Sequence, residues 1–121
     1  MHELPIIKSI YKSVITKAEG AGAKKVKRVV IEVGILRDFI PELVQKYWDF
    51  ISPGSIAEGS VIELRELDAS AACGRCGKEY AITKENIGNP QCPVCGYRRG
   101  RLISGSELRL VGIEIEKQEK I

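Results

Sequence analysis

The sequence predicts an α+β fold, in which a small two-layer α/β domain carries an inserted module with four cysteines. Helical and strand-like hydrophobic periodicities alternate along residues 5–67 in the order α-β-α-β, and a last strand-like pattern follows the cysteines. Residues 70–105 hold all four cysteines and no long periodic run. We therefore expect residues 1–69 and 106–121 to form one domain, with two helices and a three-stranded sheet, and residues 70–105 to form a second.

Each helix and strand of the α/β domain has its own sequence signal. Apolar residues recur at helical spacing over residues 5–20, and a second helix begins at Pro41 and ends before Pro53. Residues 25–34 and 60–67 alternate between apolar and polar side chains, which is typical of half-buried strands. The side chains expected to face the core are Leu4, Ile7, Tyr11, Val14, Ile15 and Ala18 in the first helix, and Ile40, Val44, Tyr47, Trp48 and Ile51 in the second.

The final strand is expected over residues 107–116. Its apolar residues fall on even-numbered positions up to Leu110 and on odd-numbered positions from Ile113 onward. Such a change predicts a β-bulge near Gly112. We expect this strand to pair antiparallel with the strand over residues 60–67. The cysteine module would then project from the ends of the two strands.

Composition and charge exclude several classes of protein. Of the 121 residues, 44% are hydrophobic and 29% are charged, which indicates a globular rather than a disordered chain. No apolar run reaches the ~18 residues of a membrane-spanning helix, and the first residues lack a secretory signal, so we expect a cytoplasmic protein.

The basic excess of the chain lies with the cysteines. The net charge is +3, and residues 71–105 alone hold six basic and two acidic side chains. Arg98, Arg99 and Arg101 form a candidate docking patch for an acidic partner, although such a run is most often a solvated surface. If the four cysteines bind a divalent cation as thiolates, the net positive charge of residues 71–105 falls. The remaining charge is only weak evidence for nucleic-acid binding.

The four cysteines form two Cys-x2-Cys pairs separated by 15 residues. They are Cys73 with Cys76, and Cys92 with Cys95. This spacing predicts two turns that direct four sulfurs to one tetrahedral metal site, with Gly77 and Gly96 where the backbone must turn. The favoured interpretation is structural zinc in a zinc-ribbon-like module, because a closed shell of four sulfurs leaves no coordination position open for catalysis. Iron remains an alternative, because the pairs resemble rubredoxin knuckles and geometry alone does not separate the two metals.

The only histidine of the chain, His2, lies beside the N-terminus. A terminal residue is usually just solvated. However, the Met1 amine, the His2 amide nitrogen and the His2 imidazole can chelate one ion, and a further amide or the Glu3 carboxylate can complete the set. Nitrogen-rich coordination of this kind suits Ni(II) or Cu(II). Because no second histidine exists to form a catalytic relay, we predict that the chain is not an enzyme.

Several segments, in their order and spacing, point to one family. They are Met1-His2-Glu3, Gly34-Ile35-Leu36, Ile40-Pro41-Glu42, Pro53-Gly54-Ser55, Ala57-Glu58-Gly59-Ser60, the two cysteine pairs, Gly105-Ser106-Glu107-Leu108 and Gly112-Ile113-Glu114-Ile115-Glu116. With these segments the chain resembles the hydrogenase nickel-incorporation protein family (HypA/HybF). The chain departs from the family pattern at Pro5 and Arg37, where relatives often carry Ser, and it has no histidine beside the zinc cysteines.

The resemblance implies a nickel metallochaperone of the hydrogenase maturation system. Its cargo would be Ni(II), held by Met1, His2 and Glu3, and Cys73, Cys76, Cys92 and Cys95 would bind structural Zn(II). Its partners would be a nickel-delivery GTPase and the large subunit of nickel–iron hydrogenase, and in some organisms such proteins also serve urease. Homodimer formation stays open. The other hypotheses are a zinc-ribbon adaptor that docks protein or nucleic acid through its arginines, and a rubredoxin-like iron electron carrier.

Overall fold

The computed structural model describes residues 3–117, which divide into two compact units. One unit contains residues 3–31, 39–65 and 109–117, and the other contains Glu32–Asp38 and Glu66–Leu108. The elements are α1 (Glu3–Gly20), β1 (Ala23–Gly34), a 3-10 turn (Ile35–Arg37), α2 (Pro41–Ile51), β2 (Val61–Leu67), β3 (Ala69–Cys73), β4 (Glu79–Ile82), β5 (Gly100–Ser104) and β6 (Leu108–Lys117). In this part of the chain, no helix combines the length and apolarity needed to cross a membrane. The predicted division into a nickel and a zinc domain stays a prediction.

The two predicted helices are present and bury the expected faces, with one exception. Helix α1 buries Ile7, Val14 and Ala18, and α2 buries Val44, Tyr47 and Trp48. Pro41 occupies the start of α2, where its fixed φ fits and its missing N–H is not needed. The prediction was wrong for Ile40, which is 52% exposed. Ile40 is the extended residue that precedes the first turn, so its side chain does not share the apolar face of the helix.

The first sheet has the strand order β2-β1-β6. The predicted pairing between the strands over 60–67 and 107–116 was therefore wrong, because β1 lies between them. The central place of β1 follows from its apolar content, since this 12-residue strand buries Val26, Val29, Ile31 and Val33. In β6, Leu110 and Ile113 are both partly buried, as the predicted parity change requires, and the strand continues through Gly112.

The cysteine module contains a second sheet, with the order β4-β3-β5. Strand β3 lies in the centre and pairs antiparallel with both neighbours. The α+β class and the inserted four-cysteine module are confirmed, but the sequence did not predict these three strands. The core of the unit that holds the cysteines includes residues from within 70–105 and residues outside that range. Its buried members are Ile35, Ala69, Ala71, Cys73, Tyr80, Ile82 and Cys92.

Candidate metal centre

The structure brings the four cysteine sulfurs together. All four Sγ atoms lie within 4.8 Å of one another, and no other such group of His, Cys, Asp or Glu occurs between residues 3 and 117. The Sγ atoms of Cys73 and Cys95 are 3.5 Å apart, and those of Cys76 and Cys92 are 3.6 Å apart. A tetrahedral ion with ~2.3 Å metal–sulfur bonds separates its sulfurs by about 3.8 Å. The spacing between the sulfurs therefore fits a four-coordinate thiolate site for zinc or iron.

The two cysteine turns have the same backbone pattern. The Cys73 N–H donates to the Lys78 carbonyl, and the Cys92 N–H donates to the Tyr97 carbonyl, at 2.9 Å in both cases. Gly77 and Gly96 have φ of +77° and +75°, as expected for the residues that turn the chain after each pair. Their N–H groups donate to the carbonyls of Cys73 and Cys92. Each turn is thus fixed by its backbone, and the positions of the sulfurs are fixed with it.

Backbone N–H groups also favour thiolates at this centre. The N–H groups of Cys76 and Arg75 point at the Cys73 sulfur and lower the pKa of Cys73 to about 6. The N–H groups of Cys95 and Val94 lower the pKa of Cys92. At Cys95 the Tyr97 N–H acts in the same direction, but partial desolvation and the three neighbouring thiols raise the pKa to about 11. Four clustered thiols cannot all ionise alone, so full deprotonation requires a cation among them.

The centre is half enclosed. Cys73 and Cys92 are buried, whereas Cys76 and Cys95 reach the surface. The Arg75 guanidinium carbon lies 5.3 Å from the centre of the Tyr97 ring, which packs against the core of this unit. Two of the four ligands thus belong to the hydrophobic core, so a metal bound here would join the two turns to the sheet.

The other predicted metal site falls largely outside the described residues. Met1 and His2 lie there, and Glu3 is the partly buried first residue of α1. The neighbouring Leu4 lines a groove of about 690 Å³ together with Leu43, Lys46, Tyr47, Asp49 and Phe50.

Helix α1 is held in place by its contact with α2. The rings of Tyr11 and Trp48 meet edge to face, with their centres 5.7 Å apart. Trp48 Nε1 in turn donates to the buried Ser60 hydroxyl at 2.7 Å. Tyr47 and Trp48 are buried, which confirms that they belong to the core rather than to a stacking surface.

Two sequence segments that carry the family resemblance meet in space, which the sequence did not predict. The Gly34 N–H donates to the Glu107 carbonyl at 2.8 Å, and the Leu36 N–H donates to the Gly105 carbonyl at 3.0 Å. A Cβ atom on Gly34 would lie 2.0 Å from the Gly105 carbonyl oxygen, so only glycine fits there. The signal was present as two glycines in separate family-like segments, but their distance in sequence concealed the contact.

The comparisons with known proteins agree over nearly the whole chain. A family model described as "Hydrogenase/urease nickel incorporation, metallochaperone, hypA" matches residues 1–115. The chain is 38% identical over 118 residues to the hydrogenase maturation factor HypA of Trichormus variabilis, covering 97% of each chain. It is 33% identical over 116 residues to the HypA protein of Acidithiobacillus ferrooxidans, covering 96% of this chain and 100% of the relative.

Solved structures support the same fold. The solution structure of the Ni metallochaperone HypA from Helicobacter pylori aligns with a TM-score of 0.64 at 19% identity, covering 98% of this chain and all of that one. A second solution structure of a HypA protein aligns with a TM-score of 0.67, also at 19% identity. The family model and the curated relatives do not favour the adaptor or the iron-carrier hypothesis. The chain therefore belongs to the HypA family of hydrogenase and urease nickel-incorporation metallochaperones.

Proposed function

We propose that this protein carries Ni(II) at its N-terminus and delivers it during maturation of a nickel–iron hydrogenase. The observation that carries the proposal is the family match over residues 1–115, which includes Met1-His2-Glu3. The ligands would be the Met1 amine, the amide and imidazole nitrogens of His2, and the Glu3 carboxylate. This donor set suits Ni(II), which prefers nitrogen-rich, tetragonal coordination.

The proposed mechanism is ligand exchange and not catalysis. The protein would hold Ni(II) with moderate affinity and release it when a partner offers competing ligands. Because neutral imidazole is needed, protons compete with the metal, and binding should weaken as the pH falls below about 6.5. We therefore expect release to follow from partner binding at neutral pH, with acidification as a second route.

The four-cysteine centre has a separate role in this proposal. Zn(II) bound by Cys73, Cys76, Cys92 and Cys95 would join the two cysteine turns to β3 and stabilise a unit whose own core is small. The distances between the sulfurs and the backbone N–H groups directed at Cys73 support this assignment. A closed shell of thiolates leaves no position for substrate, so the ion would be structural.

The partners follow from the family. We propose that a nickel-delivery GTPase and the hydrogenase large subunit bind this chain in the cytoplasm, without a membrane or nucleic acid. The apolar groove lined by Leu4, Leu43 and Phe50 begins one residue after Glu3. A partner that binds there would contact Leu4, the residue that follows Glu3 in the sequence.

The test is a calorimetric titration of Ni(II) into zinc-loaded, untagged protein whose Met1 terminus has been verified by mass spectrometry. We expect one nickel per chain, lost in His2→Ala and in a variant with one extra residue before Met1. A variant extended at the C-terminus instead is the matched control and should bind as the parent does. Zinc content, measured by elemental analysis, should be one per chain in all four proteins. Unchanged nickel affinity in His2→Ala would refute the site.

A further inference from the structure

Strand β5 forms one edge of the second sheet and exposes apolar side chains. It pairs with β3 on one side only in the β4-β3-β5 order. The adjacent residues Leu102 and Ile103 are 59% and 46% exposed. The register explains why both point outward, because Ser70 opposes Ser104 while Ala71 opposes Leu102. Ile103 is therefore the extra residue of a β-bulge, and bulges redirect side chains at sheet edges. The result is an edge with apolar side chains on two consecutive residues.

Arginines precede this apolar pair in the chain, at and just before the beginning of β5. The Arg99 carbonyl accepts a 2.9 Å hydrogen bond from Gly74 N–H, and Arg101 lies opposite Ala72 in the ladder. The backbone at both arginines is thus held by β3 and the first cysteine turn. Among residues 3–117, no carboxylate lies within ion-pair distance of Arg98, Arg99 or Arg101. The charges of Lys84 and Glu66, in the same unit, are by contrast paired at 2.6 Å.

A cavity lies at the C-terminal end of β5. It has a volume of about 430 Å³ and is lined by Leu36, Leu102, Ile103 and the segment from Ser104 to Glu107. Leu36 and Leu102 supply apolar walls, and the cavity is large enough for one aliphatic side chain. Positive charge at the beginning of β5 is therefore followed, within one strand length, by a cavity with apolar walls at Leu36 and Leu102 and a polar side that includes Glu107.

We propose that the free edge of β5 binds an extended, acidic segment of a partner protein as an additional strand. The partner's backbone would hydrogen-bond to β5, its carboxylates would meet Arg99 and Arg101, and an aliphatic side chain would enter the cavity beside Leu102. Charge complementarity selects an acidic segment, because this edge carries unpaired positive charge.

A protein segment fits this edge better than nucleic acid. Single-stranded nucleic acid is held by aromatic side chains on which bases stack. Of the two aromatic residues in this unit, Tyr80 is buried, and Tyr97 is partly buried and has Arg75 over its ring. Leu102 and Ile103 have no complement on a phosphate backbone. The proposal goes beyond nickel carriage, because none of these residues belongs to either metal site.

The test measures fluorescence anisotropy of a labelled peptide with zinc-loaded, nickel-free protein. The probe is a fluorescein-labelled peptide about ten residues long, with two Asp at each end and alternating Val and Thr between them. Acidic residues at both ends make the probe independent of strand direction. We expect Arg99→Gln/Arg101→Gln to weaken binding about tenfold, as the loss of two exposed ion pairs predicts. The matched control, Lys24→Gln/Lys25→Gln, removes the same charge from exposed positions of β1 and should bind as the parent does.

Three further peptides separate strand addition from other modes of binding. A peptide with Lys in place of Asp should bind at least tenfold more weakly. Two acidic peptides, N-methylated at odd or at even positions, should differ, because only one set of amides can face β5. Failure of the acidic peptide to bind, equal binding by the two N-methylated peptides, or equal affinity of the arginine and lysine variants would overturn the proposal. Tighter binding of a labelled single-stranded DNA oligonucleotide to the same arginines would also overturn it.

Discussion

The hydroxyl of Ser60 joins two buried polar groups, and its removal should destabilise the unit that contains α1 and α2. Trp48 Nε1 donates to Ser60 Oγ at 2.7 Å, and Ser60 Oγ donates to the Ala57 carbonyl. Trp48 and Ala57 are 0% exposed and Ser60 is 1% exposed, so water cannot replace the hydroxyl without rearrangement. Ser60→Ala leaves the Trp48 Nε1 donor unpaired, at about 1–3 kcal/mol. The Ala57 carbonyl keeps a hydrogen bond from the Ser60 N–H at 3.1 Å. We therefore expect the free energy of unfolding to fall by about 1–3 kcal/mol.

The assay uses the single tryptophan of the chain. Because Trp48 is itself part of the network, its fluorescence during urea unfolding reports directly on this unit. The matched control is Ser9→Ala, at an exposed position of α1, which should change the unfolding free energy by less than about 0.5 kcal/mol. Zinc content should be unchanged in both variants, because the cysteines lie in the other unit. A Ser60→Ala protein as stable as Ser9→Ala would show that the network contributes nothing to stability.

Two further variants test the packing of the second unit and the charges of the first sheet. Gly105→Ala should lower the free energy of unfolding by roughly 3 kcal/mol, because Gly105 has a φ of +136° and an added Cβ atom would lie 2.5 Å from the Cβ atom of Ala69. The variant should also release zinc faster to a chromogenic chelator. Gly112→Ala, where nothing lies within 4 Å of the added Cβ, is the control and should release zinc as the parent does. Hydrogen bonds from Arg65 and Arg28 lower the pKa of Glu63 below 4.5. The ionised Glu63 carboxylate therefore stabilises the folded protein above pH 4.5, and this stabilisation is lost as the pH falls through the lowered pKa. The difference in unfolding free energy between the parent and Glu63→Gln, measured from pH 7 downward, should therefore shrink below pH 4.5, and a difference that grows with acidification would contradict this sign.

The sequence predicted the elements whose hydrophobic period is strong. Helix α2 carries apolar residues at helical spacing and begins at Pro41, and both its boundaries and its buried face were found as expected, apart from Ile40. The two cysteine turns were also predictable, because the requirement that two thiols converge on one ion fixes their spacing and the glycine that follows. In both cases the signal is local, and a few neighbouring residues determine the structure.

The features that the sequence did not predict depend on contacts between distant residues. The alternation in β2 and β6 shows that each is a strand, but not that β1 lies between them, because strand order is not encoded in the period. Strand β3 consists of small residues, Ala69–Cys73, which give little β-signal until β4 and β5 pair with it. The contact between Gly34 and Gly105 joins residues about 70 positions apart, and only the fold reveals why neither can carry a side chain.

The two proposed metal sites differ in the features that control how fast an ion leaves. At the cysteine centre, two ligands are buried in a core, and backbone N–H groups stabilise the thiolate of Cys73. Loss of zinc would leave several negatively charged sulfurs close together without a cation, so the ion should exchange slowly. The proposed nickel site depends on one imidazole, and protonation or displacement of that ligand alone opens the chelate. We therefore expect a chelator of moderate strength at neutral pH to remove nickel and leave the zinc count unchanged.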